Sequence, residues 1–135
     1  MTGRDHHGRI AQLRLPSSLD APRDARAFAR QTLADWGLDE HVHTVELLTT
    51  ELVANVVVHV DVPVAVRLTC GSDGLRVEVD DPSPVVPELR HPTADDTHGR
   101  GILLVDALAR RWGTEQRDTG KTVWFELDAP CADAG

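Results

Sequence analysis

The chain has 135 residues, of which 41% are apolar, and its 14 Lys and Arg against 22 Asp and Glu give a net charge of −8. This length fits one domain, and the acidic balance argues against a nucleic-acid backbone or an anionic membrane as a partner. Three Trp, two Phe and no Tyr are too few for a platform that stacks single-stranded bases. A basic protein surface is compatible with this charge.

The N-terminal part of the chain predicts a tail, a strand and a helix. Residues 1–8 are polar, and we expect a disordered tail there. Apolar residues alternate over 9–15, which predicts a strand. Asp20 as N-cap and Pro22 in the first turn predict a helix that follows, and Gly37 is expected to end it.

A second helix is predicted to begin at Asp39 and to continue to His59. Its apolar residues recur with helical period, at Val42, Val45, Leu47 or Leu48, Leu52 and Val56. The valines at 56–58 favour a strand instead, because they are β-branched. We predict the helix, since a helix aligns Glu51, Asn55 and His59 on one face.

The C-terminal half predicts a hairpin, a long loop, a helix and a second hairpin. Residues 64–69 and 75–79 alternate around a Gly-Ser-Asp-Gly turn, which is typical of a β-hairpin. Residues 82–98 contain four prolines, and such long irregular segments are often lids or binding loops. The remaining elements are a helix and two strands, over 99–111, 112–116 and 121–127.

This order of elements predicts an α+β fold, a two-layer α/β sandwich with a mostly antiparallel sheet and helices on one face. We expect one domain over 9–128 and a frayed tail over 129–135. Cys70 and Cys131 lack metal-ligand spacing, so neither a zinc site nor a disulfide framework is predicted. We expect a reduced, cytoplasmic protein, because the sequence has no long apolar run and no signal-peptide pattern.

Glu51 and Asn55 combine a candidate base with a candidate metal ligand, one helical turn apart. A carboxylate can take a proton from an attacking hydroxyl, and an amide oxygen is a hard, neutral ligand that suits Mg²⁺ beside phosphate oxygens. Gly99 and Gly101 stand at a predicted helix start, where backbone N–H groups bind anions. Together they indicate nucleotide binding with phosphoryl transfer, although each residue alone also fits a solvated or purely local role.

Four short boxes, in this order, resemble the GHKL ATPases with the Bergerat fold, and more narrowly their bacterial anti-sigma factor and serine-kinase branch. The boxes are a Glu-x-x-x-Asn helix, an Asp at a strand end, a Gly-x-Gly helix start and a Gly-x-Thr turn. They span nearly the whole chain. The residues that carry the resemblance are Glu51, Asn55 and His59; Asp81 and Ser83; Gly99, Arg100, Gly101 and Ile102; and Gly120 and Thr122.

The resemblance implies a site for ATP and Mg²⁺. Glu51 would be the general base, Asn55 would hold Mg²⁺ between the phosphates, and Asp81 would accept a hydrogen bond from the adenine amino group. Asp80 competes for this last role, but strand alternation puts Asp81 on the core face. In the family the Asp box continues with glycines, whereas Ser83 and its preceding proline stand here.

The other boxes would surround the phosphates and the far wall of the same site. The two glycines of the third box would let the backbone approach the phosphates, with Arg100 and Ile102 beside them. His59 would contact a phosphate or simply end its helix, where a cation is favoured. Gly120 and Thr122 would line the far wall, or form a plain hairpin turn.

The resemblance further implies a regulatory switch. Such a protein binds ATP and Mg²⁺, sequesters a sigma factor and phosphorylates a serine on an anti-anti-sigma (STAS-type) partner, which makes it a serine/threonine-protein kinase. A homodimer is the expected assembly. The alternative is a catalytically weak or inactive Bergerat-fold module that acts by sequestration, because Pro82 and Ser83 cannot copy the backbone freedom of glycine.

Overall fold

The structure is a computed structural model that describes residues 8–16, 18–57, 63–81, 97–118 and 120–129, with backbone alone at 57 and 97–102. A single 3₁₀ turn, Asp39–His41, precedes the second helix. The other elements in these ranges are β1 (Arg9–Leu15), α1 (Ala21–Asp35), α2 (Val42–Val57), β2 (Val64–Gly71), β3 (Gly74–Asp81), α3 (Thr97–Leu108), β4 (Arg111–Arg117) and β5 (Gly120–Leu127).

The five strands form one sheet in the order β1-β2-β3-β5-β4, and each neighbouring pair is antiparallel. Helices α1 and α2 pack against each other, α3 packs on α2, and each helix also contacts the sheet. The predicted α+β sandwich is therefore confirmed. The hydrophobic core lies between the two layers and includes the fully buried Leu33, Val45, Leu48, Val66, Leu68, Val77, Val79 and Phe125.

Strand alternation gives the sheet two different faces. The inner face packs against the helices, and on β3 it carries Leu75, Val77 and Val79, all fully buried. Full burial of such a side chain stabilises the fold by about 1.5–3 kcal/mol. The residues between them, Arg76 and Glu78, lie on the outer face and are only partly buried.

Cross-strand ion pairs cover the outer face. Arg76 lies over the ring of Trp124, 4.2 Å from its centroid, and donates to Glu78 at 2.8 Å and to Glu126 at 3.0 Å. Burial by itself raises the pKa of Glu78, but hydrogen bonds from Arg76 and Arg67 outweigh it and hold that pKa below its usual value. These charges tie β2, β3 and β5 together laterally.

Neither predicted helix cap forms a capping bond from its side chain. Asp20 occupies the N-cap position of α1 as predicted, but its side chain makes no capping hydrogen bond. Its backbone is already helical, at φ −86° and ψ −10°, whereas a capping side chain needs a non-helical, usually extended, backbone. Asp39 does not cap α2 either, because it opens the 3₁₀ turn and α2 begins three residues later at Val42.

Gly37 ends α1 as predicted. Its φ of +74° is the left-handed conformation that favours glycine. The N–H of Leu38 bonds to the carbonyl of Leu33 at 2.9 Å, and that of Gly37 to Ala34 at 3.2 Å. This pair of bonds is the Schellman motif, which satisfies the last carbonyl groups of the helix.

The valine-rich end of α2 is helical, so the strand alternative is wrong up to Val57. Val53 and Val56 are buried against the core, and their burial outweighs the few tenths of a kcal/mol that β-branching costs a helix. The open choice within the apolar stripe is also settled, since Leu48 is fully buried and Leu47 is 40% exposed.

Cys70 is disulfide-bonded, which corrects the expectation from cysteine spacing. Spacing along the chain does not limit which cysteines approach each other in a folded sheet, and the other cysteine, Cys131, lies outside the described residues. So do residues 1–7, 130–135 and the proline-rich segment 82–96.

No helix in the described ranges has the length and apolar character that crossing a bilayer requires.

Candidate functional site

Helix α2 carries Glu51 and Asn55, and both side chains are half-buried. They are four residues apart, so they lie on one face with about 5–6 Å between their Cβ atoms. The neighbouring Leu52 and Val53 are buried in the core, which fixes the rotation of the helix. The sequence-predicted pair of base and metal ligand is therefore presented from a rigid element.

A pair between helices also holds α2 in place. Arg30 of α1 bonds to Glu46 of α2, and this hydrogen bond is the main reason that the pKa of Glu46 is lowered. Nearby, the hydroxyl of Thr50 donates to the backbone carbonyl of Glu46 at 2.6 Å. The helix that carries Glu51 and Asn55 is thus anchored to α1 as well as to the sheet.

Asp81 lies on the inner face at the end of β3, as strand alternation predicts. It is 8% exposed as a residue, whereas the side chain of Asp80 is 38% exposed on the outer face. Directly opposite, on β5, stands Lys121. Its Nζ donates to Oδ2 of Asp81 at 3.1 Å, and both side chains are at least nine-tenths buried.

Thr122 faces the other way. Its hydroxyl donates to Oδ1 of Asp80 at 2.7 Å and accepts from Nε of Arg117 at 2.6 Å. The structure therefore does not bring the Thr122 side chain together with Asp81. The group beside Asp81 is Lys121, which the sequence reasoning missed, although the register of β3 and β5 places it there.

Gly120 begins β5 at the end of the sheet where β3 ends with Asp81. It is buried and has φ +141°, a conformation that side chains rarely adopt. Its position next to Lys121 brings the Gly-x-Thr turn and the Asp81 carboxylate to one end of the sheet. Of the four boxes, the second and fourth are thus joined by strand pairing.

The Gly-x-Gly box lies in the first turns of α3, with Gly99, Arg100, Gly101 and Ile102 inside Thr97–Leu108. The first N–H groups of a helix have no partner within the helix. After α3, the N–H of Arg110 bonds to the carbonyl of Glu126 at 2.8 Å, toward the end of β5 that is remote from Lys121 and Asp81.

Chain connectivity relates the end of α2 to the end of β3. Six residues link Val57 to Val64, and β2 begins beside the strand end that carries Asp81, because Ala65 pairs with Asp80. Helix α2, which carries Asn55, also packs against β3. His59 and Ser83, the two remaining predicted site residues, fall outside the described residues.

Comparisons with known proteins agree with this fold. A family model described as a histidine kinase-like ATPase domain matches residues 15–127. The uncharacterized protein SCO4941 of Streptomyces coelicolor is 44% identical over an alignment of 82 residues, and the match covers 57% of this chain and 78% of that protein.

The same fold occurs in the crystal structure of the RsbU and RsbW domains of Rv1364c from Mycobacterium tuberculosis. The TM-score is 0.68 at 22% identity, and the match covers 91% of this chain and 32% of that chain, so this chain spans about a third of it. The expected Bergerat fold is thereby confirmed, and an ATPase domain implies an ATP-binding site. Because the family model covers most of its length, the chain belongs to the family of histidine kinase-like ATPase domains.

Proposed function

We propose that the protein is an anti-sigma regulatory kinase that binds ATP with Mg²⁺, sequesters a sigma factor and phosphorylates a serine of an anti-anti-sigma (STAS-type) partner. The observation that supports this most is the buried Asp81 carboxylate at the end of β3, on the inner face of a sheet that packs against α2, the helix of Glu51 and Asn55. The RsbW domain named in the structural match and the sequence resemblance supply the partner classes. A homodimer and a cytoplasmic location complete the proposal.

The residues at this end fit a nucleotide and its metal ion. Asp81 is a buried acceptor for the adenine amino group, and the amide oxygen of Asn55 is a hard ligand for Mg²⁺. The backbone N–H groups that begin α3 would bind phosphate oxygens. When bound, Mg²⁺ would neutralise charge on the phosphates.

Glu51 would act on the protein substrate. Its carboxylate would accept the proton of the serine hydroxyl as that oxygen bonds to the terminal phosphorus, and the bond to the ADP oxygen would break. The half-buried position on α2 holds the carboxylate one turn from Asn55, so base and metal ligand keep a fixed relation. His59, Ser83, Arg100, Ile102 and Gly120 would complete the walls of the site, whereas the side chain of Thr122, which bonds to Asp80 on the outer face, would not.

A second function, sequestration without phosphoryl transfer, is favoured by one feature of the sequence. Pro82 and Ser83 stand where the family has flexible glycines. Proline fixes its own φ and donates no N–H, which would weaken binding of the nucleotide. In that case the protein would bind the same partners but would not bind ATP.

Titration calorimetry with ATP and ADP, with and without Mg²⁺, tests the site. We expect micromolar binding that Asp81→Asn abolishes and that Asn55→Ala makes insensitive to Mg²⁺. Asp80→Asn is the matched control, because Asp80 lies on the outer face and bonds to Thr122. No binding at millimolar ATP would contradict the kinase and leave the sequestering module.

Transfer to a partner tests the chemistry separately. With radiolabelled ATP and a purified STAS-type protein, Glu51→Gln should bind ATP as tightly as the unaltered chain and should transfer phosphate at least about 100-fold more slowly. Equal transfer by the two proteins would exclude Glu51 as the base.

A further inference from the structure

We propose that Lys121 is a specificity-determining residue of the nucleobase site, where its ammonium group and the Asp81 carboxylate together bind the N1 and N6 edge of adenine. The inference deepens the proposed function, since it rests on ATP binding at Asp81. Four steps support it: the burial of the pair, its position, the chemistry of its two groups, and the contrast with the opposite face.

The burial of Lys121 is unusual. Its side chain is 4% exposed and that of Asp81 is 9% exposed, whereas lysine and aspartate are almost never fully buried unless they are paired. A buried ion pair contributes little to stability compared with apolar residues of similar volume, because both charges lose their hydration. Stability alone therefore gives no strong reason for a lysine at this position.

The position of the pair would bring both of its charged groups into contact with a bound base. Asp81 and Lys121 are Cα partners in the β3–β5 ladder, at the strand ends. They lie on the inner face, which is the face that packs against α2. A base that reaches the Asp81 carboxylate from this side meets Lys121 at the same time, since the two groups are 3.1 Å apart.

The two groups present a donor next to an acceptor. An ammonium carries three N–H donors and no acceptor, and a carboxylate carries about four acceptor positions and no donor. The adenine edge presents the N6 amino donor beside the N1 acceptor, so Asp81 matches N6 and Lys121 matches N1. Guanine presents a carbonyl oxygen and an N1–H at these places, which would oppose Asp81 and Lys121 respectively. The pair thus discriminates at two atoms instead of one.

The opposite face supplies an internal control. Asp80 and Thr122 are the next pair of the same ladder, but they bond to each other on the outer face. A change there alters the same two strands without altering the groups beside Asp81. Asp80→Asn is thus the matched variant for any change at Lys121.

The test compares ATP with 1-deaza-ATP, in which a C–H replaces N1, by titration calorimetry in the presence of Mg²⁺. Loss of a hydrogen bond to a charged, buried donor should weaken binding about 10- to 100-fold. We therefore expect the unaltered chain and Asp80→Asn to bind 1-deaza-ATP about 10- to 100-fold more weakly than ATP. Lys121→Met should weaken ATP binding and bind both nucleotides with equal affinity.

The outcomes separate the inference from the proposed function. Equal binding of ATP and 1-deaza-ATP by the unaltered chain would overturn the role of Lys121 and leave the ATP site intact. The same conclusion would follow if Lys121→Met still discriminated, or if it bound ATP more tightly. Absence of ATP binding would overturn the proposed function and this inference with it. If Lys121→Met does not fold, the comparison in the unaltered chain still decides.

Discussion

Replacing Lys121 with methionine should destabilise the protein. Methionine keeps the length and the apolar stem of the side chain but removes the ammonium that bonds to Asp81 at 3.1 Å. The Asp81 carboxylate then keeps a place where its side chain is 9% exposed, and it loses the attraction of this ammonium, which offsets part of the cost of its lost hydration.

The size of the effect follows from the loss of one charge from a buried ion pair. Removing one partner of such a pair typically costs about 3–5 kcal/mol, because the remaining charge stays poorly hydrated.

Urea unfolding at pH 7, followed by circular dichroism, measures the difference between Lys121→Met and the unaltered chain. The double variant Asp81→Asn with Lys121→Met removes both charges, so it should be destabilised less than Lys121→Met alone. Asp80→Asn, on the exposed side of the same strand, should cost less than about 1 kcal/mol. A penalty for Lys121→Met that is no larger than that of the double variant would refute the reasoning.

Three further substitutions test the sheet and a helix end by urea unfolding. Gly113→Ala should cost about 1–3 kcal/mol, because an added Cβ would lie 2.9 Å from Cζ2 of Trp124; an unchanged midpoint would contradict this packing. Gly37→Ala should cost only about 1–2 kcal/mol of backbone strain, since no atom lies within 4 Å of its Cβ position. Glu126→Gln should make the protein less sensitive to acid. Burial raises the pKa of Glu126, but hydrogen bonds from two arginines outweigh this effect and lower that pKa. The contribution of Glu126 to stability is therefore present at neutral pH and is lost as the pH falls below about 4.5. An identical loss on acidification in the variant and the unaltered chain would exclude that role.

Local rules predicted most of the fold. The turn at 71–74, the stop at Gly37 and the buried stripe of α2 each follow from a few neighbouring residues, and each was confirmed. The predicted side-chain caps at Asp20 and Asp39 do not form because capping depends on the backbone conformation of a single residue, which the residue type only biases. The disulfide bond at Cys70 was missed because it depends on contacts far apart in the chain.

The candidate site likewise contains one residue that a local rule places and one that no local rule places. Strand alternation, a rule that considers one strand at a time, predicts that Asp81 and not Asp80 lies on the core face, and the burial of the two residues confirms that placement. Lys121 could not be found by such a rule, because its place beside Asp81 depends on the register between β3 and β5, strands that are forty residues apart. A search for the inner-face partner of Asp81 would have found it once the strand order was known.

The pleat of two neighbouring strands therefore separates the proposed recognition pair from the outer pair within two consecutive ladder positions. Asp81 and Lys121 form the inner pair, toward the helices, and Asp80 and Thr122 form the outer pair, one residue away. A slip of one residue between β3 and β5 would exchange the faces of a whole strand, which would bury outer charges such as Glu78 and expose the buried valines of β3. The hydrophobic inner face that fixes this register for stability thus also fixes which carboxylate can meet a nucleotide, so variants that loosen the register should lose both properties together.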